Sequence, residues 1–181
     1  ALAKSQPGKL TYGSPGNGTP HHLAMELFKS KTGIDVLHVP YKGTAGAVTD
    51  LLGGQINAMF LPVHVALAHV ESGKLDMLAA GGMERASATP QVPSLAEASG
   101  VRDIDTDIWY ALYVPAGTPK EIVAKIGKDV NAVLKAPDVV DTLAKQGLQT
   151  TGGSADQLAQ LTRTDLERWA NVVREANIQP D

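Results

Sequence analysis

The 181-residue chain contains no cysteine. Disulfides and thiol chemistry are therefore excluded, and cysteine usage leaves no mark of a redox compartment. Aromatic residues make up only 4% of the chain, so its core must be built mostly from Ala, Leu and Val. No stretch approaches the ~20 consecutive apolar residues that a membrane-spanning helix needs, and direct membrane insertion is not expected. Nor is there a basic stripe. With 16 Lys and Arg against 19 Asp and Glu, the net charge is -3, and the electrostatic footprint of a nucleic-acid binder is missing. No signal peptide is visible within the sequence, and Ala1-Leu2-Ala3-Lys4 reads as a helix end, as expected of a fragment or a processed product, so a missing leader decides nothing.

What is present is an alternation of short strands and helices, which argues for an α/β fold with mainly parallel strands. A helix end stops at Pro7-Gly8, and Lys9 to Tyr12 is a strand running into a glycine-rich turn. Thr19 is the expected N-cap of the next helix, with Pro20 at the first helical position and Gly33 as its stop. Further strands are expected over 34–39, 56–61, 75–80 and 107–114. Helices are expected over 45–52, from Pro62 to 72, and briefly over 94–99. Thr118-Pro119-Lys120-Glu121 matches a capping box opening a helix to about Lys135. A helix over 138–146 follows. Ser154 and Gln157 form a second capping box before a long amphipathic C-terminal helix.

Two loops carry the chemistry. In Gly13-Ser14-Pro15-Gly16-Asn17-Gly18-Thr19 the glycines let the backbone turn tightly. The following helix aims free N–H groups and a partial positive charge at the turn, while Ser14, Asn17 and Thr19 add side-chain donors. A carboxylate or phosphate fits such a cradle, and so does a bare strand-to-helix turn. Tyr41-Lys42-Gly43-Thr44-Ala45 stands in the same position after the next strand, with Thr44 as its expected N-cap. In an open parallel sheet both loops line the crevice at the carboxyl ends of the strands. Lys42 is either an anion contact or a solvated charge.

More specific chemistry finds no support. The turn lacks the Gly-Lys-Ser/Thr of a Walker A loop, the spacing of a dinucleotide fingerprint, and the leading glycine of a nucleophile elbow, where Tyr12 stands. Ser14 is therefore not expected to be a nucleophile. His64 and His69 are five apart rather than four, and His21, His22 and His38 do not complete a metal set. Asp103, Asp105 and Asp107 lack the glycine and distal glutamate of a calcium loop. No catalytic residue, metal or cofactor is expected.

In combination these stretches resemble the Bug family, the solute-binding proteins of tripartite tricarboxylate transporters. The resemblance rests on Gly8-Lys9-Leu10-Thr11-Tyr12-Gly13-Ser14 with Gly16-Asn17-Gly18-Thr19, and on His38-Val39-Pro40-Tyr41-Lys42-Gly43-Thr44. Asp50-Leu51-Leu52-Gly53-Gly54-Gln55, Gly73-Lys74-Leu75, Trp109-Tyr110, Pro115-Ala116-Gly117-Thr118-Pro119 and Gly152-Gly153-Ser154 follow in family order. It departs from the family at Leu61-Pro62-Val63-His64, where many relatives carry a polar or acidic residue.

The resemblance implies a type II periplasmic-binding-protein-like α/β fold, here with one complete lobe plus the C-terminal part of a second lobe. Residues 1–9 would be a remnant helix end and crossover, and 10–107 the ligand-binding lobe. Residues 108–181 would be a crossover strand and the helical C-terminal part of the other lobe, the chain being truncated at its N-terminus. A composition shift near Asp103 to Asp107 fits that boundary. The family implies a periplasmic, exported protein that captures a small carboxylate by cleft closure and delivers it to membrane transporter subunits. Ser14, Gly16, Asn17, Gly18, Thr19, Lys42, Gly43, Thr44 and Ala45 would bind the ligand. With half of the grip missing, the isolated chain is expected to bind weakly, and a domain-swapped homo-oligomer would cover its exposed half-lobe. An effector-sensing domain of a transcription regulator, or an α/β enzyme acting on an anionic substrate, are the alternatives.

Overall fold

A computed structural model describes residues 1–179. A first helical turn, α1 (Leu2–Ser5), leads into β1 (Thr11–Ser14), α2 (Pro20–Thr32), β2 (Leu37–Pro40), α3 (Thr44–Leu52) and β3 (Ala58–Met59). The helices α4 (Val63–Glu71), α5 (Leu95–Ser99), α6 (Lys120–Val133), α7 (Pro137–Lys145) and α8 (Ala155–Glu175) complete the described elements. The sheet has the order β2-β1-β3, all parallel. β1 is therefore central. Its residues Thr11 to Ser14 lie opposite Leu37 to Pro40 on one side, and Tyr12 and Gly13 lie opposite Ala58 and Met59 on the other.

The core beneath this sheet gathers Tyr12, Met25 and Val36, flanked by Leu10, Phe28, Ile34 and Phe60. Phe28 and Phe60 meet edge-on at 6.4 Å, a favoured aromatic geometry. Tyr12 brings a hydroxyl into this apolar layer, and the group is satisfied: it donates to Glu26 Oε1 at 2.6 Å. Burial and the Glu26 carboxylate hold the phenol far above its ordinary range. Gly13 is buried in the central strand, where a side chain would crowd Ile56. A Cβ there would lie 2.4 Å from Ile56 Cδ1, with Tyr41 and Ala47 closing the other sides.

Several elements differ from the sequence expectation. β3 is confined to two residues, Ala58 and Met59, of the six expected. The expected strand over 75–80 finds no neighbour among the described residues beyond one parallel bridge, Ala80 to Ser94, and Leu78 is left exposed. Residues 107–114 form no strand. Trp109 Nε1 donates to Asp165 at 2.6 Å and Tyr113 Oη pairs with Thr162 Oγ1 at 2.9 Å, so this strap is tied to α8 by side chains.

Caps were partly legible. Ser154 and Ser94 both build complete capping boxes, with Gln157 and Glu97. At α6 the expected box is absent. Thr118 Oγ1 instead donates to Pro115 O at 2.7 Å, and Pro119 holds the cap position.

Gly13→Val should lower the unfolding free energy by at least about 2 kcal/mol, through overpacking against Ile56, Tyr41 and Ala47. Urea denaturation checks this; a midpoint unchanged from wild type would show the central strand to be less tightly enclosed.

Candidate carboxylate site

The parallel register puts the carboxyl ends of β1 and β2 side by side, with α2 and α3 starting just beyond them. The two expected loops are thus neighbours, and they are fastened together. Tyr41 N–H donates to Ser14 O and Gly43 N–H to Pro15 O, both at 2.9 Å. Tyr41 also donates its hydroxyl to Asp50 Oδ2 at 2.7 Å, which raises its phenol above the ordinary value and pins the second loop to α3.

Inside the first loop most predicted donors are turned inward. Ser14 is fully buried. Its hydroxyl donates to Gly16 O at 3.0 Å, accepts from Gly16 N–H at 3.3 Å, and lies 2.7 Å from His38 Nε2. Thr19 is the N-cap of α2, as expected, yet its hydroxyl donates backward to Gly16 O at 2.7 Å instead of capping. Gly18 N–H donates to His22 Nδ1 at 3.1 Å. Gly16 is buried, Asn17 is half-buried and hydrogen-bonded within the protein, and Gly18 is exposed. Ser14, Gly16 and Thr19 therefore shape the turn through bonds to one another.

The second loop offers its donors outward. The expected N-cap Thr44 is instead the first helical residue, and Gly43 takes the cap. Gly43 stands at φ 114, a region closed to a β-branched residue, because its N–H must reach Pro15 O. The N–H groups of Thr44, Ala45 and Gly46 make no hydrogen bond among the described residues. These are the orphan donors of a helix N-terminus, carrying its partial positive charge. Lys42 is exposed, with no ion-pair partner among the described residues.

A serine hydroxyl 2.7 Å from an imidazole nitrogen is also the geometry that activates a nucleophile. Here the hydroxyl has no exposed surface and holds both polar groups of Gly16, so no substrate reaches it. Among the described residues no cluster of His, Asp or Glu could hold a metal ion.

Sequence reasoning missed the supports beneath the loops. His38 stacks on Tyr12 at 4.8 Å and on His22 at 3.9 Å, a three-ring pillar under the turn. The Tyr12–His38 contact follows from their pairing across β1 and β2 and was legible once the register was known. His21 lies beside this pillar's His22 in the first turn of α2. Its two ring nitrogens are buried with no hydrogen-bond partner among the described residues, and burial lowers its pKa.

The pattern that defines the family described as "Tripartite tricarboxylate transporter family receptor" matches residues 1–178. The chain is 34% identical over 175 residues to protein BugT of Bordetella pertussis, covering 97% of this chain and 53% of BugT. It is 32% identical over 158 residues to a protein from the clcB-clcD intergenic region of Pseudomonas knackmussii, covering 87% of this chain and 94% of that protein. Among solved structures, an R. palustris protein with adipate superposes with a TM-score of 0.89 at 31% identity, covering 99% of this chain and 60% of that one. Periplasmic binding protein BugD gives 0.84 at 27% identity, covering 99% and 60%. MatC from Rhodopseudomonas palustris with bound malate gives 0.79 at 28% identity, covering 95% and 59%. The architecture is thus that of periplasmic binding proteins, and the chain spans about half the length of BugT.

His21 carries a pH prediction. With its folded pKa below the unfolded value of about 6.5, the stability tied to its neutral ring is fully present above that pH. That stability is lost as pH falls toward the folded value, because the unfolded chain takes up the proton first. His21→Leu should therefore lose less urea resistance than wild type between pH 7.5 and 5.5; an equal or larger loss would place the acid sensitivity elsewhere.

Proposed function

We propose, for a chain that belongs to the family of tripartite tricarboxylate transporter receptors, that the two fastened loops hold one carboxylate group of a small solute. The observation that carries this reading is the row of unbonded N–H groups at Thr44, Ala45 and Gly46, set beside a turn whose shape is fixed by its own bonds. A carboxylate accepts several such bonds, and charge-assisted bonds are roughly twice as strong as neutral ones. The relatives solved with adipate and malate hold dicarboxylates, which supports a ligand of that class.

In this reading residues 10–107 form the ligand-binding lobe, and the strap and helices from residue 108 belong to a second lobe. Closing the second lobe over the loops would exclude water and strengthen each N–H contact. The chain would act as a capture protein outside the cytoplasmic membrane and hand its solute to membrane transport subunits. Gly16 to Thr19 would contribute the floor of the site, and Lys42 a solvated charge at its rim. The receptor reading is favoured over an enzyme because Ser14, whose hydroxyl lies beside an imidazole, is sealed under the turn.

Titration of the 15N-labelled chain with adipate should shift the amide signals of residues 43–46 and of the first loop, with weak, fast-exchange binding. Shifts confined to other regions, or none at tens of millimolar adipate, would sink the proposal. Thr44→Pro is the sharper variant. Proline is tolerated at the first helical position, and the change removes the backbone N–H together with the Thr44 hydroxyl. It should weaken adipate binding by about tenfold or more, the worth of one hydrogen bond to a charged group, while the urea midpoint stays near wild type.

A further inference from the structure

We propose that His22 is a positioning residue of the carboxylate loop: its Nδ1 acts as the acceptor that holds Gly18, and with it the turn 16–18, in the shape the ligand meets. This inference rests on the carboxylate reading of the loop, but its geometry stands apart from any ligand. Gly18 N–H donates to His22 Nδ1 at 3.1 Å. His22 is the third helical residue of α2, and it reaches back to the residue before the N-cap. A Glu or Gln at this position does the same for the N-cap itself in a capping box. Its ring is buried and stacks at 3.9 Å and 17° on His38. His38 in turn lies 2.7 Å from the Ser14 hydroxyl that grips Gly16. The turn is thus held at Gly16 and at Gly18 by two rings of a single stack, and moving either ring moves both holds.

The bond also fixes a protonation state. An N–H can donate to Nδ1 only when that nitrogen bears no proton, so His22 holds the loop as the neutral tautomer protonated on Nε2. Nε2 faces Glu26 Oε1 at 4.0 Å, and Glu26 is shared with Tyr12 at 2.6 Å and Lys29 at 2.7 Å. Among the described residues, the titratable groups facing His22 are Glu26 and Lys29 from α2, Tyr12 from β1, and His38 from β2. Protonation at Nδ1 would replace the acceptor with a donor pointed at Gly18 N–H. The two N–H groups would repel, and the turn would let go.

Amide hydrogen exchange in the ligand-free 15N-labelled chain tests this. At neutral pH the Gly18 amide should be protected in wild type and exchange roughly fivefold to tenfold faster in His22→Leu, the effect of losing one hydrogen bond. His22→Asn should restore protection, since Asn Oδ1 sits close to the place of Nδ1 and does not titrate. On acidification, after correction for intrinsic exchange, wild type should lose Gly18 protection in step with the titration of the His22 ring, whereas His22→Asn keeps it. Equal protection in wild type and His22→Leu, or parallel loss in wild type and His22→Asn, would overturn the proposal. If His22→Leu does not fold, the acid series of wild type against His22→Asn decides alone. Adipate added to the same samples separates the two readings. Gly18 protection that follows His22 while adipate shifts no signal leaves the positioning role standing and removes the carboxylate reading.

Discussion

Two backbone hydrogen bonds, Tyr41 N–H to Ser14 O and Gly43 N–H to Pro15 O, carry the β1–β2 ladder beyond the last residues of the sheet. The rest of the site depends on them. They draw the loop after β2 against the loop after β1, so the start of α3 lies beside the start of α2. They also force Gly43 to φ 114, which makes it the cap and leaves Thr44, Ala45 and Gly46 as the first helical donors. A residue with a side chain at 43 would be strained there, and relief of that strain would swing α3 away from the turn. The bare central strand supports the same arrangement from below, because Gly13 lets Tyr41 and Ile56 close over it.

The two loops divide the work. The first is rich in polar groups, and nearly all that can be traced are bonded within the turn or to the rings beneath it. Such bonds make a rigid surface and few open donors. The second loop is poor in polar side chains, and its helix begins with open N–H groups. Rigidity without open donors would not bind an anion, and open donors on a loose loop would lose much of their affinity to ordering. The fastening bonds join one property to the other.

The sequence made the order of elements legible through its punctuation: Pro20 and Gly33 bound α2, Pro62 precedes α4, and Ser154 with Gln157 opens α8. These signals are local and survive any tertiary context. Strands were read less well, because a strand exists only if a neighbour accepts it. Leu75 to Ala80 and Asp107 to Val114 have strand-like composition, yet only Ala80 forms a β-bridge among the described residues. The positions of the candidate loops were legible from glycine and proline. Which donors they would present was not. Thr44 reads as a cap until the Gly43 to Pro15 bond is known, and Ser14 reads as an open donor until His38 is placed by the register.

Neither loop contains an arginine, and Lys42 is their one cation, on a chain whose net charge is -3. Long-range attraction for an anionic solute is therefore weak at best. In the proposed site selection would come from oriented N–H dipoles, which act within the first turn of a helix and fall off quickly beyond it. A site of that kind discriminates by placement: a carboxylate seated at the start of α3 gains several short bonds, and one displaced by an ångström or two gains little. In the proposed site, accurate placement would be secured by the pillar of Tyr12, His38 and His22, which fixes the floor against which a carboxylate would be set. On the proposed reading the buried rings would stand in for the charge that the loops lack, converting shape into affinity where an arginine clamp would use Coulomb attraction.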